Sequence, residues 1–192
     1  MPRPRRLVSV LAALLAMAGL SACGKHPNKD ARVVHAEMEG LYLDVGELKY
    51  QVQVSRLMNP YDTQDKGLLT GVPEAERELE PDETWFGIFL RVQNETDKEL
   101  LPASEIELVD TLENVFKPVE LEPTNVFAYR ADEPIPPRQV IPLPNSAAYD
   151  TPGQGALILY KLKNGTLDNR PLELKIDNRQ LPPQTGLIAL DL

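Results

Sequence analysis

Residues 85–92 read WFGIFLRV. Trp85, Phe86, Ile88, Phe89, Leu90 and Val92 make this stretch apolar on both faces at its start, the pattern of a central β-strand. A second such run is 156–162, ALILYKL. Around these two lie segments that alternate instead. Leu48, Tyr50, Val52 and Val54 alternate with Glu47, Lys49, Gln51 and Gln53, so one face is apolar and one is wet. Leu172, Leu174 and Ile176 alternate with Glu173, Lys175 and Asp177 in the same way. Ile106 and Leu108 lead through Asp110 to Val115 and Phe116, with Glu113-Asn114 near the turn of a hairpin, and Asn164-Gly165 opens a loop between the last two runs. The C-terminal segment 187–192 is apolar enough to be a last strand.

No stretch carries a 3.6-residue apolar stripe over three turns. Pro73 to Leu79 can make two helical turns with Pro in the first. Eighteen Pro in 192 residues is nearly twice the usual ~5%, which disfavours long helices. Short strands of mixed one-sided and two-sided burial, joined by Pro-rich loops, predict an all-β chain: an antiparallel, immunoglobulin-like β-sandwich.

The start of the chain has a different character. Arg3, Arg5 and Arg6 precede an apolar run from Leu7 to Leu20 interrupted by Ser9 and Gly19. Such a run is too short for a ~30 Å hydrocarbon core, and it has the build of a secretory signal peptide. It ends Leu20-Ser21-Ala22-Cys23, which resembles the lipobox of bacterial lipoproteins. By that resemblance the Cys23 thiol receives a diacylglyceryl group and the chain is cut before it. An ordinary signal peptide with a stray Cys is the alternative. The expected organisation is therefore a signal peptide over 1–22, a lipidated polar tether over 23–38 and the sandwich with its C-terminal tail over 39–192. Two acyl chains give stable attachment where one is marginal. The expected address is a cell membrane or outer membrane, facing away from the cytoplasm.

The charge narrows the partners. Loss of 1–22 removes three Arg and no acids, leaving 17 basic against 29 acidic residues, a net of −12. That balance disfavours nucleic acid, which requires a basic face. A cationic or neutral envelope partner fits it.

The segment WFGIFLRVQNETDKELLP, followed by ELVDTLENVFKPVEL, resembles the bacterial lipoprotein domains called telokin-like or immunoglobulin-like domains of unknown function. There an apolar strand ends in Asn, and after a polar turn comes an Asp…Asn-aromatic…Pro hairpin. Asn94, Asp110, Asn114, Phe116 and Pro118 occupy those places over a match spanning about 45–177. The long loop at 59–83 departs from a minimal version, and the antibody-type Cys pair is missing. The resemblance implies a fold and an envelope location, and no activity.

Catalytic groups are sparse. The only His residues, His26 and His35, lie in or beside the tether, and Ser55, Ser104 and Ser146 lack elbow-like Gly flanks. Gly67 and Gly71 have no following Lys-Ser/Thr, so there is no phosphate loop. No cofactor and no resident metal are expected, and the protein reads as a non-enzyme. Asp62 to Gly67 places Gly at the sixth position of an EF-hand-like loop, but Lys66 and Pro73 fall at ligand positions five and twelve. A looser Ca²⁺ site among Glu74, Glu76, Glu78, Glu80, Asp82 and Glu83 remains as an alternative, as does a carboxylate-dependent hydrolase. The loop from Glu122 to Gly155 holds seven Pro with Phe127, Tyr129 and Tyr149. Those three aromatics are the candidate partner-binding residues, on a ledge that Pro preorganises. The competing reading packs them on the core while the Pro residues blunt a sheet edge.

Overall fold

The computed structural model describes residues 32–179 and 182–191. The expected signal peptide and the Cys23 anchor lie outside these residues. Ten strands form two sheets: β1 (Arg32–Ala36), β2 (Leu43–Val45), β3 (Leu48–Met58), β4 (Glu83–Asn94), β5 (Glu105–Val109), β6 (Val115–Phe116), β7 (Val140–Ile141), β8 (Ala156–Lys163), β9 (Glu173–Asn178) and β10 (Gln184–Ala189). The first sheet has the order β1-β10-β9-β5-β6. The second runs β2-β3-β4, with β7 and β8 both paired to β4. The chain crosses between sheets from β4 to β5 and from β8 to β9, so β3-β4-β8 face β5-β9-β10 in an immunoglobulin-like β-sandwich. Among the described residues no helix is long and apolar enough to cross a membrane.

The core between the sheets is built by the expected alternation. Leu48, Tyr50 and Val52 of β3, Phe86, Ile88, Leu90 and Val92 of β4, and Leu174 and Ile176 of β9 are all buried in it. Each large apolar side chain so buried contributes ~1.5–3 kcal/mol relative to exposure. Asn94, at the end of β4, is also fully buried, and its Nδ2 donates to the carbonyls of Lys98 (2.8 Å) and Ile135 (2.9 Å). At the β5–β6 hairpin, Asp110 accepts from the Leu112 and Asn114 amides and from the Asn114 and Asn169 side chains, while Glu113 takes φ 63°. Burial pushes the Asp110 carboxyl up, but those hydrogen bonds outweigh it and hold it below the usual carboxylate range.

Four local expectations are corrected. The tether expected over 23–38 is structured at its end, since Arg32–Ala36 forms β1, parallel to β10 in an otherwise antiparallel set of strand pairs. A five-residue edge strand, mostly exposed, leaves no alternating signature in the sequence. Helix α1 (Thr63–Leu68) occupies the polar turn at 62–67, because Asp62 caps it by accepting from the Gln64 (2.8 Å) and Asp65 (3.2 Å) amides. Helix α2 is one turn, Glu74–Arg77, not two. A 3-10 turn, Asn164–Asp168, stands where a loop was expected.

The largest difference is in β3. The pairing register slips between Val52 and Val54, the mark of a β-bulge. Val52 lies opposite Leu90 on the inner face, whereas Val54 lies opposite Phe89, Arg56 opposite Gly87 and Met58 opposite Trp85. One extra residue inverts the parity of everything after it. Val54 therefore leaves the inner set and joins a second apolar cluster on the outer face, with Met58, Leu68, Val72, Trp85, Phe89, Leu121, Leu157 and Leu159. Residues 59–83 and 119–128 cover that face. The latter stretch closes the β8 edge. Leu157 donates to the Phe127 carbonyl (2.7 Å), and Val119 and Tyr129 donate to the Leu159 (2.7 Å) and Leu157 (2.9 Å) carbonyls.

Candidate functional site: a groove on the outer face of the second sheet

Where the covering segments do not quite meet, they leave a groove of about 580 Å³ lined by Arg56, Asn59, Asp62, Gln64, Asp65, Leu68, Phe89, Phe127 and residues 151–153. Volumes of this order suit ligand sites, which span ~300–1,000 Å³. Its position follows from local sequence. The bulge in β3 points Arg56 outward, and its guanidinium carbon comes to 5.7 Å from the Phe89 ring centroid. Gly153 packs on the same ring, where a Cβ would approach to 2.3 Å, so the 151–155 loop can pack here only because the position lacks a side chain. Asn125 turns Phe127 toward the groove by accepting the Phe127 amide (2.8 Å) and donating to the Leu68 (2.8 Å) and Thr70 (2.6 Å) carbonyls.

The polar wall is a two-pronged ion pair. Arg56 donates from its two terminal nitrogens to Asp65 Oδ2 (3.1 Å) and Oδ1 (2.5 Å), and the Asn59 amide adds 2.7 Å to Oδ2. The Asp65 side chain is only 7% exposed. The Arg56 guanidinium holds the Asp65 carboxyl below its ordinary range, with help from the Asn59 amide and against the opposing effect of burial. Reciprocally, Asp65 raises Arg56. This acid is an anion committed to structure, the opposite of a general acid, whose carboxyl must be held protonated. The same bonds remove Asp65 as a Ca²⁺ ligand, and among the described residues no cluster of three or more His, Cys, Asp or Glu could hold a metal ion. Several acids of the 74–83 stretch are likewise engaged: Glu76 with Lys161 (3.3 Å), Asp82 with Lys163 (3.7 Å) and Glu83 with the Glu80 amide (2.9 Å).

The three aromatics singled out in the sequence do not form one exposed ledge. Phe127 lines the groove, half-buried. Tyr129 packs against the central core, where its hydroxyl donates to the Ala103 carbonyl (2.7 Å) and burial pushes its phenol well up. Tyr149 is half-buried, with the Arg91 guanidinium carbon 5.5 Å from its ring centroid. Cys23 lies outside the described residues. Of the catalytic groups considered, His35 is exposed on β1, and Ser55 is buried with its hydroxyl and amide both on Glu39. The Glu39 carboxylate that accepts this hydroxyl also accepts the Asp191 amide, so it is held as a structural acceptor.

Sequence reasoning gave Arg56 and Tyr61 no role, read Phe89 only as a central-strand residue, and considered Asp65 only within the EF-hand-like loop 62–67. Asp62-Thr-Gln-Asp65 is a capping signature that marks a helix start and could have located α1. The outward turn of Arg56 had no local signal.

No described protein family matches this sequence, and no curated protein sequence matches it significantly. Among solved structures, the yjhA protein from Bacillus subtilis has a TM-score of 0.55 at 12% identity, over 81% of this chain and 99% of that one. An uncharacterised β-sandwich protein from Clostridium difficile 630 has a TM-score of 0.46 at 13% identity, over 88% and 99%. A functionally unknown protein from Listeria monocytogenes EGD-e has a TM-score of 0.48 at 8% identity, over 81% and 83%. At 12% identity the likeness to the Bacillus subtilis protein is one of fold alone.

Proposed function

We propose that this chain is a non-catalytic binding protein of the bacterial cell envelope, lipid-anchored through Cys23 outside the cytoplasm, of the telokin-like or immunoglobulin-like lipoprotein kind. The observation that carries the binding half is the groove over Phe89. The half-buried Phe127 ring and a rigid ion pair converge there, backed by the buried Phe89 and Leu68 side chains. Aromatic and Arg side chains in a partly desolvated pocket are the composition that dominates protein recognition. Tyr61, between the lining residues Asn59 and Asp62, is 87% exposed, and its amide is held by the Asn59 side chain (2.9 Å). Its exposed ring, on a backbone fixed next to two lining residues, offers contact area at low entropic cost. The anchor half rests on the lipobox-like Leu20-Ser21-Ala22-Cys23.

The two halves are tested separately. Intact-mass analysis of the wild type shows a diacylated mature chain, and Cys23→Ala loses it; an unchanged mass profile refutes the anchor. Crosslinking on intact cells recovers an envelope partner from the wild type. Tyr61→Ala and Phe127→Ala reduce that recovery while the purified variants keep a cooperative melt. Recovery equal to wild type from both variants overturns the groove as the binding site.

A further inference from the structure

Resting on the groove as the binding site, we infer that its occupant is a protein segment that is basic and carries an apolar side chain for the half-buried Phe127 ring, with the buried Phe89 as its backing. The charge arithmetic is local. Of the three charged residues in the lining, Arg56 and Asp65 neutralise each other through two hydrogen bonds, and both oxygens of Asp65 are occupied. Asp62 is left. Its Oδ1 caps α1, and the side chain is exposed, so one uncompensated negative charge faces the groove mouth. The covering segment 59–83 extends that field: its eight acids meet Lys66 and Arg77 within it and Arg56, Lys161 and Lys163 paired to it from outside, an excess of three acids. A groove with a neutralised interior and an anionic rim attracts a cation to its edge and accepts an apolar group at its floor. An acidic peptide meets repulsion at the rim and finds Arg56 already taken. The rim also supplies apolar grip outside the groove, since Tyr61 and Val126, next to Phe127, are 87% and 66% exposed.

The test uses the full mature protein in detergent micelles and three fluorescein-labelled nine-residue peptides: alternating Lys/Leu, Glu/Leu and Lys/Ser. The Lys/Leu peptide binds, and the other two bind at least about ten-fold more weakly, since each loses one of the two interactions. Asp62→Ser keeps a helix-capping oxygen and removes the charge. It weakens Lys/Leu binding about three-fold and flattens its salt dependence. Tyr61→Ala weakens it too. Glu113→Gln, at the β5–β6 turn on the other sheet, leaves it unchanged. Equal binding of Glu/Leu and Lys/Leu overturns the inference, as does equal loss from Asp62→Ser and Glu113→Gln, which marks general attraction to an acidic protein. If Tyr61→Ala and Phe127→Ala lower partner recovery in cells while the peptides show no preference for Lys, the binding reading stands and the charge assignment falls. If neither effect is seen, both fall.

Discussion

Tyr50 and Tyr129 hold the same residue by its two backbone groups. The Tyr50 hydroxyl accepts the Ala103 amide proton at 2.8 Å, and the Tyr129 hydroxyl donates to the Ala103 carbonyl at 2.7 Å. Tyr50 comes from β3 and Tyr129 from the Pro-rich segment, so the two phenols tie the β4–β5 connection to the core and to the cover of the β8 edge. Tyr129→Phe leaves the carbonyl without this donor at a cost of about 1–2 kcal/mol. A melt lower by about 2–8 °C checks it.

The same phenols set the behaviour in alkali. Burial pushes Tyr50 up to about 12 and raises Tyr129 and Tyr160 as well, the Tyr160 hydroxyl being buried without a hydrogen-bond partner. A raised folded-state value means stability that is complete below the unfolded value of ~10 and is lost as pH rises through the folded values. Absorbance at 295 nm will therefore show three of the six tyrosines ionising only as the chain unfolds above pH ~11. Six phenolates appearing together near pH ~10 with the fold intact would contradict this burial.

Acid acts through the Arg56–Asp65 pair. The folded value of Asp65 lies below the unfolded one, so the pair's contribution is present above ~3.9 and is lost as pH falls through the folded value. Asp65→Ala strips the anion from Arg56 and the acceptor from the Asn59 amide, and costs about 2 kcal/mol at pH 7. Denaturant titrations of wild type and variant across pH 2–7 will show the two stabilities converging below pH ~4. A constant gap at every pH would show that the carboxylate charge is not what stabilises α1.

Gly155 faces backbone rather than side chain. A Cβ there would come to 2.6 Å from the Phe89 carbonyl carbon and 2.8 Å from the Leu90 nitrogen. Strand β4 is central and cannot retreat, so Gly155→Ala destabilises by about 1–3 kcal/mol, read as a lower denaturant midpoint.

Asn94→Ala removes a buried side chain that ends β4 and bonds the Lys98 and Ile135 carbonyls. The Ile135 carbonyl keeps the Leu100 amide (3.1 Å) and the Lys98 carbonyl the Thr96 hydroxyl (3.1 Å), so the loss is of a buried, fully bonded side chain and costs about 1–3 kcal/mol. Tyr61→Ala, by contrast, shifts stability by less than about 0.5 kcal/mol, because the ring is exposed and only its backbone is bonded.

The central strands were legible because burial on both faces writes an uninterrupted apolar run, as in Trp85–Val92 and Ala156–Leu162. The β5–β6 hairpin was legible because Asp110 and Asn114 are the residues such a turn requires. What covers the outer face was only half legible: the Pro-rich loop read as either a ledge or an edge cover, and the structure makes it a cover that leaves Phe127 at a groove.

Sequence alone therefore determined the sandwich, since strand burial follows from residues in local alternation. Its acidic charge and the lipobox-like run at 20–23 were likewise written there. The tertiary structure decided the site. Strict alternation from Leu48 onward would aim Arg56 into the core, beside Tyr50 and Val52. The bulge after Val52 turns it outward onto Phe89, where Asp65, capped into place by α1, meets it. A bulge is settled by how two strands fit across their hydrogen bonds, and no residue within one strand announces it.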